Sequence, residues 1–346
     1  DNPDYEKMKA KGSVLCDFDL DGDLDLYFGY VNSYYFENSG SAFKDRTMEY
    51  DIDNSGCRGI VVGDMDNNGY PDILKWRFMS EVQPDHDCAE YDYEAVCLED
   101  PDCIWEENNC WNSSEPQFLP HLILMNDGNN TFITHNFLPP SELPFLHSLG
   151  LIDADLDGDL DLLAIQEEDD DQFMLYLNEG FDDTGAPEFN QVFTFYRTYS
   201  DISASRILAI ADYDNDGDQD VYVGRKYGYN WFFENQTLTG TPGDVTYNSN
   251  PEPFFIEKAI QLGIADSEVN EIGSMGYGAA WGDYDNDQDF DLYLANWGVN
   301  RLYRNEAMAF NNVAETQNLE SEELSNGVSW GDYNNDGMLD LWTSNI

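Results

Sequence analysis

Short apolar runs alternate along the chain with acidic nine-residue segments, and the alternation recurs six times. One apolar run precedes each acidic segment, at 13–16, 58–63, 148–152, 206–211, 278–282 and 327–331. A second follows it, at 24–29, 72–76, 160–165, 220–224, 291–295 and 340–343. In five copies a third run closes on an asparagine, namely Asn38, Asn126, Asn178, Asn235 and Asn305. A fourth starts near Phe43, Phe132, Phe189, Phe254 and Phe310. These runs are too short for helices and mix strict alternation with continuous apolar stretches, which predicts strands whose two faces are both covered.

The acidic segments start at Asp17, Asp64, Asp153, Asp212, Asp283 and Asp332, separated by 47, 89, 59, 71 and 49 residues. The two shortest spacings give the basic period, and the longer ones are that period plus insertions. A strand-rich repeat of this length predicts an all-β fold, a β-propeller of four-stranded antiparallel blades spanning residues 1–346. The sixth copy has only its first two strands, so the chain holds five and a half blades of an expected six to seven. The ring would be completed by missing chain, by the N-terminal segment or by a partner.

Positions 1, 3, 5 and 9 of every acidic segment are carboxylates or carboxamides. They are Asp17, Asp19, Asp21 and Asp25; Asp64, Asp66, Asn68 and Asp72; Asp153, Asp155, Asp157 and Asp161; Asp212, Asp214, Asp216 and Asp220; Asp283, Asp285, Asp287 and Asp291; Asp332, Asn334, Asp336 and Asp340. Hard oxygens at alternating positions suit calcium, which takes six to eight of them in a flexible shell. The backbone carbonyl at position 7 (Asp23, Tyr70, Asp159, Asp218, Asp289 and Met338) would add one more. Position 6 is Gly22, Gly69, Gly158, Gly217 and Gly337, as a sharp turn with positive φ requires, but Gln288 in the fifth copy. About six calcium ions are therefore expected, one per turn between first and second strands. The competing reading of a single copy is a solvated Asp/Asn/Gly turn without metal; six copies in one strand context argue against it. An EF-hand would need a glutamate at position 12, where this chain has Phe28, Lys75, Ala164, Val223, Leu294 and Thr343, and helices on both sides.

Charge and composition narrow the setting. The chain has 346 residues and a formal net charge of −55, and 22 of its 70 acidic residues sit at the expected ligand positions. Six calcium ions would still leave about −43, which argues against nucleic acid and anionic membranes as partners. Hydrophobic content of 41% with 14% aromatics excludes a disordered acidic tail. No apolar run is long enough to span a membrane. The chain has neither a starting Met nor a signal peptide, which reads as a mature or excised segment.

Residues 80–118 form a cysteine-rich insertion with few apolar residues, holding Cys88, Cys97, Cys103 and Cys110. An excursion without a core needs staples, so two disulfides are expected, in any of three pairings. A zinc site is the alternative, and no Cys-x-x-Cys pair supports it. Residues 236–251 are rich in Thr, Pro, Asn and Gly and predict a surface loop. Glycosylation sequons stand at Asn112, Asn129 and Asn235; with the cysteines and the calcium turns they favour a secreted, cell-surface or extracellular protein.

The stretch Ala209-Ile210-Ala211-Asp212-Tyr213-Asp214-Asn215-Asp216-Gly217-Asp218-Gln219-Asp220 resembles the FG-GAP/VCBS repeat. Residues 281–305, from Trp281-Gly282-Asp283 to Tyr303-Arg304-Asn305, are similar to extracellular repeat proteins of the cartilage-acidic-protein type. The likeness covers nearly the whole chain outside the two insertions. It implies an integrin-α-like propeller with calcium turns on one face and partner binding on the other, through second-to-third and fourth-to-first strand loops. Carried over, the first set of loops contains Tyr30, Lys75, Trp76, Arg77, Arg225, Lys226, Tyr227, Tyr229, Trp297 and Asn300; for each aromatic the alternative is blade packing.

The four histidines fall in no catalytic motif, and no nucleophile elbow, phosphate loop or His-Glu-x-x-His is present. The expectation is therefore a non-catalytic extracellular scaffold for a protein partner or self-assembly, in adhesion or structure. The alternatives are a carbohydrate-binding propeller and, further off, a glycan-processing enzyme whose carboxylate pair hides among the acidic residues.

Overall fold

The computed structural model describes residues 12–29, 32–76, 103–106, 109–112, 121–129, 131–137, 143, 146–166, 171–197, 205–225, 228–241, 243–266, 275–321 and 324–345. The predicted strands are present in the predicted order. Five four-stranded antiparallel sheets and one two-stranded sheet follow the six acidic turns, giving the β-propeller architecture. Helix among the described residues is one turn, Ala259–Leu262, closed by Gly263 with φ 76.

The chain divides into two compact units, residues 1–62 with 70–146, and residues 63–69 with 147–346. In the first unit, sheet one contains Gly12–Cys16, Asp25–Gly29, Ser33–Asn38 and Phe43–Asp45. Sheet two contains Gly59–Gly63, Asp72–Trp76, Leu122–Asn126 and Phe132–Asn136. Their shared core gathers Phe18, Tyr27, Tyr35, Ile73, Leu124 and Phe132. Phe18 meets Tyr35 of its own sheet and Phe132 of the next edge-on, at 5.7 and 6.2 Å. Residues 72–76 are buried without a break, the charged Asp72 and Lys75 included, as a strand covered on both faces requires.

In the second unit, sheet three contains Leu146–Ile152, Asp161–Gln166, Asp171–Phe181 and Pro187–Arg197. Sheet four contains Ser205–Ala211, Asp220–Arg225, Trp231–Asn235 and Phe255–Glu257, and sheet five Met275–Gly282, Asp291–Trp297, Arg301–Asn305 and Phe310–Asn312. Sheet six is the pair Ser325–Gly331 and Asp340–Asn345. Each sheet packs on the next. Phe173 of sheet three stacks on Phe233 of sheet four at 4.3 Å. The Trp281 indole of sheet five donates to the Ala209 carbonyl of sheet four at 3.1 Å, and Trp330 of sheet six to Ala280 of sheet five at 3.2 Å.

Both insertions contain strands. The span 236–251, expected as a loop, holds a β-hairpin of Leu238–Thr241 and Asp244–Tyr247. The residues of its second strand are all exposed, so no apolar alternation announces it. Within 80–118 a hairpin joins Cys103–Glu106 to Asn109–Asn112, pairing Cys103 with Asn112 and Trp105 with Cys110. Cys88, Cys97 and the side chains of Cys103 and Cys110 lie outside the described residues, as do the expected disulfides.

Candidate metal centres

Every turn is built by the same local hydrogen bonds, which come from the residue types at fixed positions. Position 1 is clamped by the amides of positions 5 and 6. Asp17 takes Asp21 N–H at 3.1 Å and Gly22 N–H at 3.0 Å; Asp212, Asp283 and Asp332 repeat this at 2.8–3.1 Å. In the same way Asp64 receives Asn68 and Gly69, and Asp153 takes Gly158 N–H at 3.2 Å. Position 5 in turn accepts the amide of position 7, as Asp157 does from Asp159 at 2.9 Å. Position 6 has positive φ in all six copies, from 79 to 106, and Gln288 adopts it at 79 despite its side chain. Position 4 is also left-handed in every copy, at Leu20, Asn67, Leu156, Asn215, Asn286 and Asn335, with φ of 55–61.

Position 9 is the buried anchor. One Asp161 carboxylate oxygen accepts Ala154 N–H and the other Asn178 N–H, both at 2.8 Å. Asp25, Asp220 and Asp291 each accept the same two amides, from position 2 and from the asparagine that ends the third strand. Asp72 takes the amide of Asn126 at 2.7 Å. That asparagine then reaches the neighbouring sheet. The Asn126 carboxamide donates to the Phe18 carbonyl at 2.8 Å, Asn235 to Ala154 at 3.0 Å, and Asn305 to Tyr213 at 2.8 Å.

Carboxylate oxygens converge in these turns. In Asp17/Asp19/Asp21, Asp153/Asp155/Asp161, Asp212/Asp214/Asp220 and Asp283/Asp285/Asp291, one oxygen from each residue lies within 4.8 Å of the others. The second turn spans the boundary of the two units, with Asp64, Asp66 and Asn68 in one and Tyr70 and Asp72 in the other. The sixth has the same backbone bonds, but Asn334 at position 3 reduces its acidic set to Asp332, Asp336 and Asp340. At position 7 the side chains serve neighbouring segments. Asp159 and Asp289 accept from Asn67 and Asn215 at 2.8 and 3.1 Å. Asp218 accepts Leu238 N–H, at 2.6 Å, from the inserted hairpin.

Packing carboxylates together in a dry site disfavours their charge. Burial, reinforced by the neighbouring carboxylates and partly offset by the N–H donors, pushes Asp161, Asp214 and Asp291 up to about 7. Burial, then the Asp218 carboxylate, hold Asp220 well above the usual carboxylate range, and burial raises Asp218 as well. Asp153 Oδ1 and Asp214 Oδ1 are buried without a hydrogen-bond partner. An orphaned buried oxygen is costly in a native protein and calls for an unseen donor or cation. An all-oxygen set with N–H donors behind it and orphaned oxygens in front fits a hard divalent cation such as calcium.

The residues expected on the opposite face divide. Arg225 is 2% exposed, with its guanidinium over the Trp231 ring at 4.4 Å and bonded to the Tyr229 carbonyl at 3.1 Å. Trp76 is buried against Gly59, where an added Cβ would lie 1.8 Å from the indole. Lys75 is buried, its ammonium bonded to the Asp53 carbonyl and carboxylate at 2.7 Å and to the Ser55 carbonyl at 2.9 Å. Asn300 is buried as well. These four stabilise strand ends and offer no surface to a partner. Tyr229 and Trp297 are half-buried; Tyr30, Arg77, Lys226 and Tyr227 lie outside the described residues. Among the sequons, Asn129 is exposed. Asn235 is buried with its amide committed to Ala154, so it is no glycan acceptor in the folded chain. The Asn112 side chain is outside the described residues.

The profile of the FG-GAP-like repeat matches residues 17–74, 153–223 and 277–343. No curated protein matches the chain. A lectin of Agrocybe aegerita, solved for its specific recognition of non-reducing terminal N-acetylglucosamine, aligns over 96% of this chain and 73% of its own, at 14% identity and TM-score 0.49. BBS1N, solved in complex with ARL6DN, aligns over 96% of this chain and 92% of its own, at 10% identity and TM-score 0.36. Neither alignment bears on function at such scores.

Proposed function

The chain belongs to the FG-GAP-like repeat family, and from that premise we propose that it is an extracellular, calcium-stabilised, non-catalytic scaffold that binds a protein partner. The observation that carries this reading is the recurrence of a carboxylate cluster in the turns at Asp17, Asp153, Asp212 and Asp283, with buried oxygens of Asp153 and Asp214 left without donors. Positions 1, 3, 5 and 9 would hold each ion, with the carbonyl at position 7 behind them. When bound, the ion supplies positive charge that cancels the repulsion among the carboxylates. The chain's own residues do the rest: the amides of positions 5 and 6 orient the first carboxylate, and the two amides on position 9 lock the turn to the third strand.

These carboxylates are held by backbone donors and turned on one another, an arrangement for a cation rather than for proton transfer to a substrate. The sequon at exposed Asn129 and the clustered cysteines support a secreted setting. No helix among the described residues is long and apolar enough to cross a membrane. The strongly negative surface favours a partner with a basic face.

Calcium titration followed by calorimetry and thermal melting tests the metal. Several ions per chain and a melting temperature that falls in chelator are expected, and an unchanged melt would refute the assignment. Cross-linked pull-down of an extracellular protein, set beside a glycan array, tests the partner class. Saturable binding of one sugar class with no protein captured would replace the scaffold by a lectin.

A further inference from the structure

The inserted hairpin of Leu238–Thr241 and Asp244–Tyr247 forms a two-stranded sheet of its own beside the ladder of sheet four. Its base rests on two acidic turns. The Leu238 amide donates to the Asp218 carboxylate, at position 7 of the fourth turn, at 2.6 Å. A Cβ on Gly217, at position 6, would lie 3.3 Å from Leu238 Cδ1, so the leucine leans over that turn. The Thr237 and Tyr247 hydroxyls donate to the Ala154 and Asp155 carbonyls of the third turn, at 2.7 and 3.2 Å.

Under the hairpin the fourth turn is closed where the others are open. Position 5 is exposed in the other five turns, and position 7 is exposed or half-buried. Asp216 and Asp218, at these positions of the fourth turn, are 8% and 1% exposed. In the third and fifth turns the position-7 aspartate is capped by an asparagine at position 4 of the preceding turn, Asn67 on Asp159 and Asn215 on Asp289. The third turn has Leu156 at position 4, which offers no donor, and the hairpin amide takes that place on Asp218. The other Asp218 oxygen, Oδ1, is buried without a partner, as is Asp214 Oδ1 of the same turn. Buried carboxylate oxygens left unmet beneath a cover call for a cation, and excluding water strengthens its hold.

We propose that the hairpin is a lid that locks one calcium ion into the fourth turn, so that this ion is released far more slowly than those of the open turns. The inference rests on the calcium reading above and adds a kinetic class to it. Release requires the hairpin base to lift, which breaks the bonds of Leu238 to Asp218, Thr237 to Ala154 and Tyr247 to Asp155. Water must then reach Asp216 and Asp218. The turns at Asp17 and Asp283 need no such step, because their position-5 carboxylates already face solvent. A cover of this kind acts by gating, and its effect falls on the off-rate.

The test loads the 346-residue chain with calcium and mixes it in a stopped-flow instrument with an excess of a fluorescent calcium chelator. Release should resolve into fast phases and one slow phase worth a single ion, roughly tenfold slower or more. Hydrogen exchange during chelation should show residues 213–219 opening after residues 284–290. A chain in which a short glycine linker replaces residues 238–247 should bind the same number of ions and lose the slow phase. Tyr247→Phe removes only the exposed hydroxyl bond to Asp155, so it should keep the fold and speed the slow phase several-fold; this variant decides the matter if the linker chain misfolds. One uniform release rate, or a slow phase unchanged in the folded variants, would overturn the lid while leaving the calcium reading in place. A chain that takes up no calcium and melts unchanged in chelator would overturn both.

Discussion

Removing calcium should invert the pH dependence of stability. In the metal-free chain Asp161 and Asp291 are buried, and burial raises each from 3.8 to about 7. A carboxyl group with a raised folded pKa contributes stability that is full below its unfolded value and is lost as pH rises through the folded value. A shift of about three units at 1.36 kcal/mol each sets an upper figure of roughly 4 kcal/mol for each group above about pH 7. Asp214, Asp218 and Asp220 shift the same way, and water entry into the open turns reduces the total, so a loss of several kcal/mol is expected between about pH 5 and about pH 8. With calcium in excess the sign reverses. On the proposed assignment the ion would bind the deprotonated carboxylates, so protons would compete with it and acidification would weaken the fold. Chemical denaturation at the two pH values, with calcium-stripped and calcium-saturated protein, measures both slopes. High salt screens repulsion among the exposed charges and leaves the buried carboxylates largely unscreened. A calcium-free chain that gains stability with rising pH in high salt would refute the reasoning.

Asn305→Ala deletes the bonds to the Tyr213 carbonyl and from Met308 N–H, both 2.8 Å, and leaves the buried Tyr213 carbonyl unmet; a loss of about 1–3 kcal/mol in denaturant unfolding is expected. Gln288→Gly should stabilise by about 1 kcal/mol, because Gln288 holds φ 79 where glycine has no Cβ penalty; a fall in the denaturation midpoint would contradict this. Leu156→Asn should raise the midpoint by a similar ~1 kcal/mol, since Leu156 is left-handed and partly exposed and asparagine tolerates that region. Peptide mapping of protein secreted from a glycosylating host should find glycan on Asn129 and none on Asn235.

The turns and strands were legible because their information is local. Carboxylates at alternate positions and a glycine at position 6 write the turn directly, and apolar runs on either side write its strands. The hairpin at 238–247 was not legible, since its exposed second strand buries nothing and lacks a hydrophobic period. Lys75 and Arg225 were misplaced for a related reason. A cation reads as surface until the carbonyls or ring that receive it are known, and those come from Asp53, Ser55 and Trp231, which only the fold brings near. The asparagines were visible as a recurring mark, but their partners lie 81–108 residues away on another sheet.

That distance couples the candidate metal turns to one another. The anchor aspartate is held by an asparagine whose carboxamide grips the preceding turn at position 2, as Asn235 grips Ala154 and Asn305 grips Tyr213. At position 4, Asn67 and Asn215 reach forward to the carbonyls of Gly158 and Gln288 in the following turn. No turn is therefore complete within its own repeat. In a stack with nearest-neighbour coupling, ordering one turn lowers the cost of ordering the next. Calcium uptake by the turns at Asp153, Asp212 and Asp283 should then be cooperative. Asn305→Ala, which removes the link through Tyr213 and leaves the one from Asn215 to Gln288, should lower the Hill coefficient of the titration before it changes the number of ions bound.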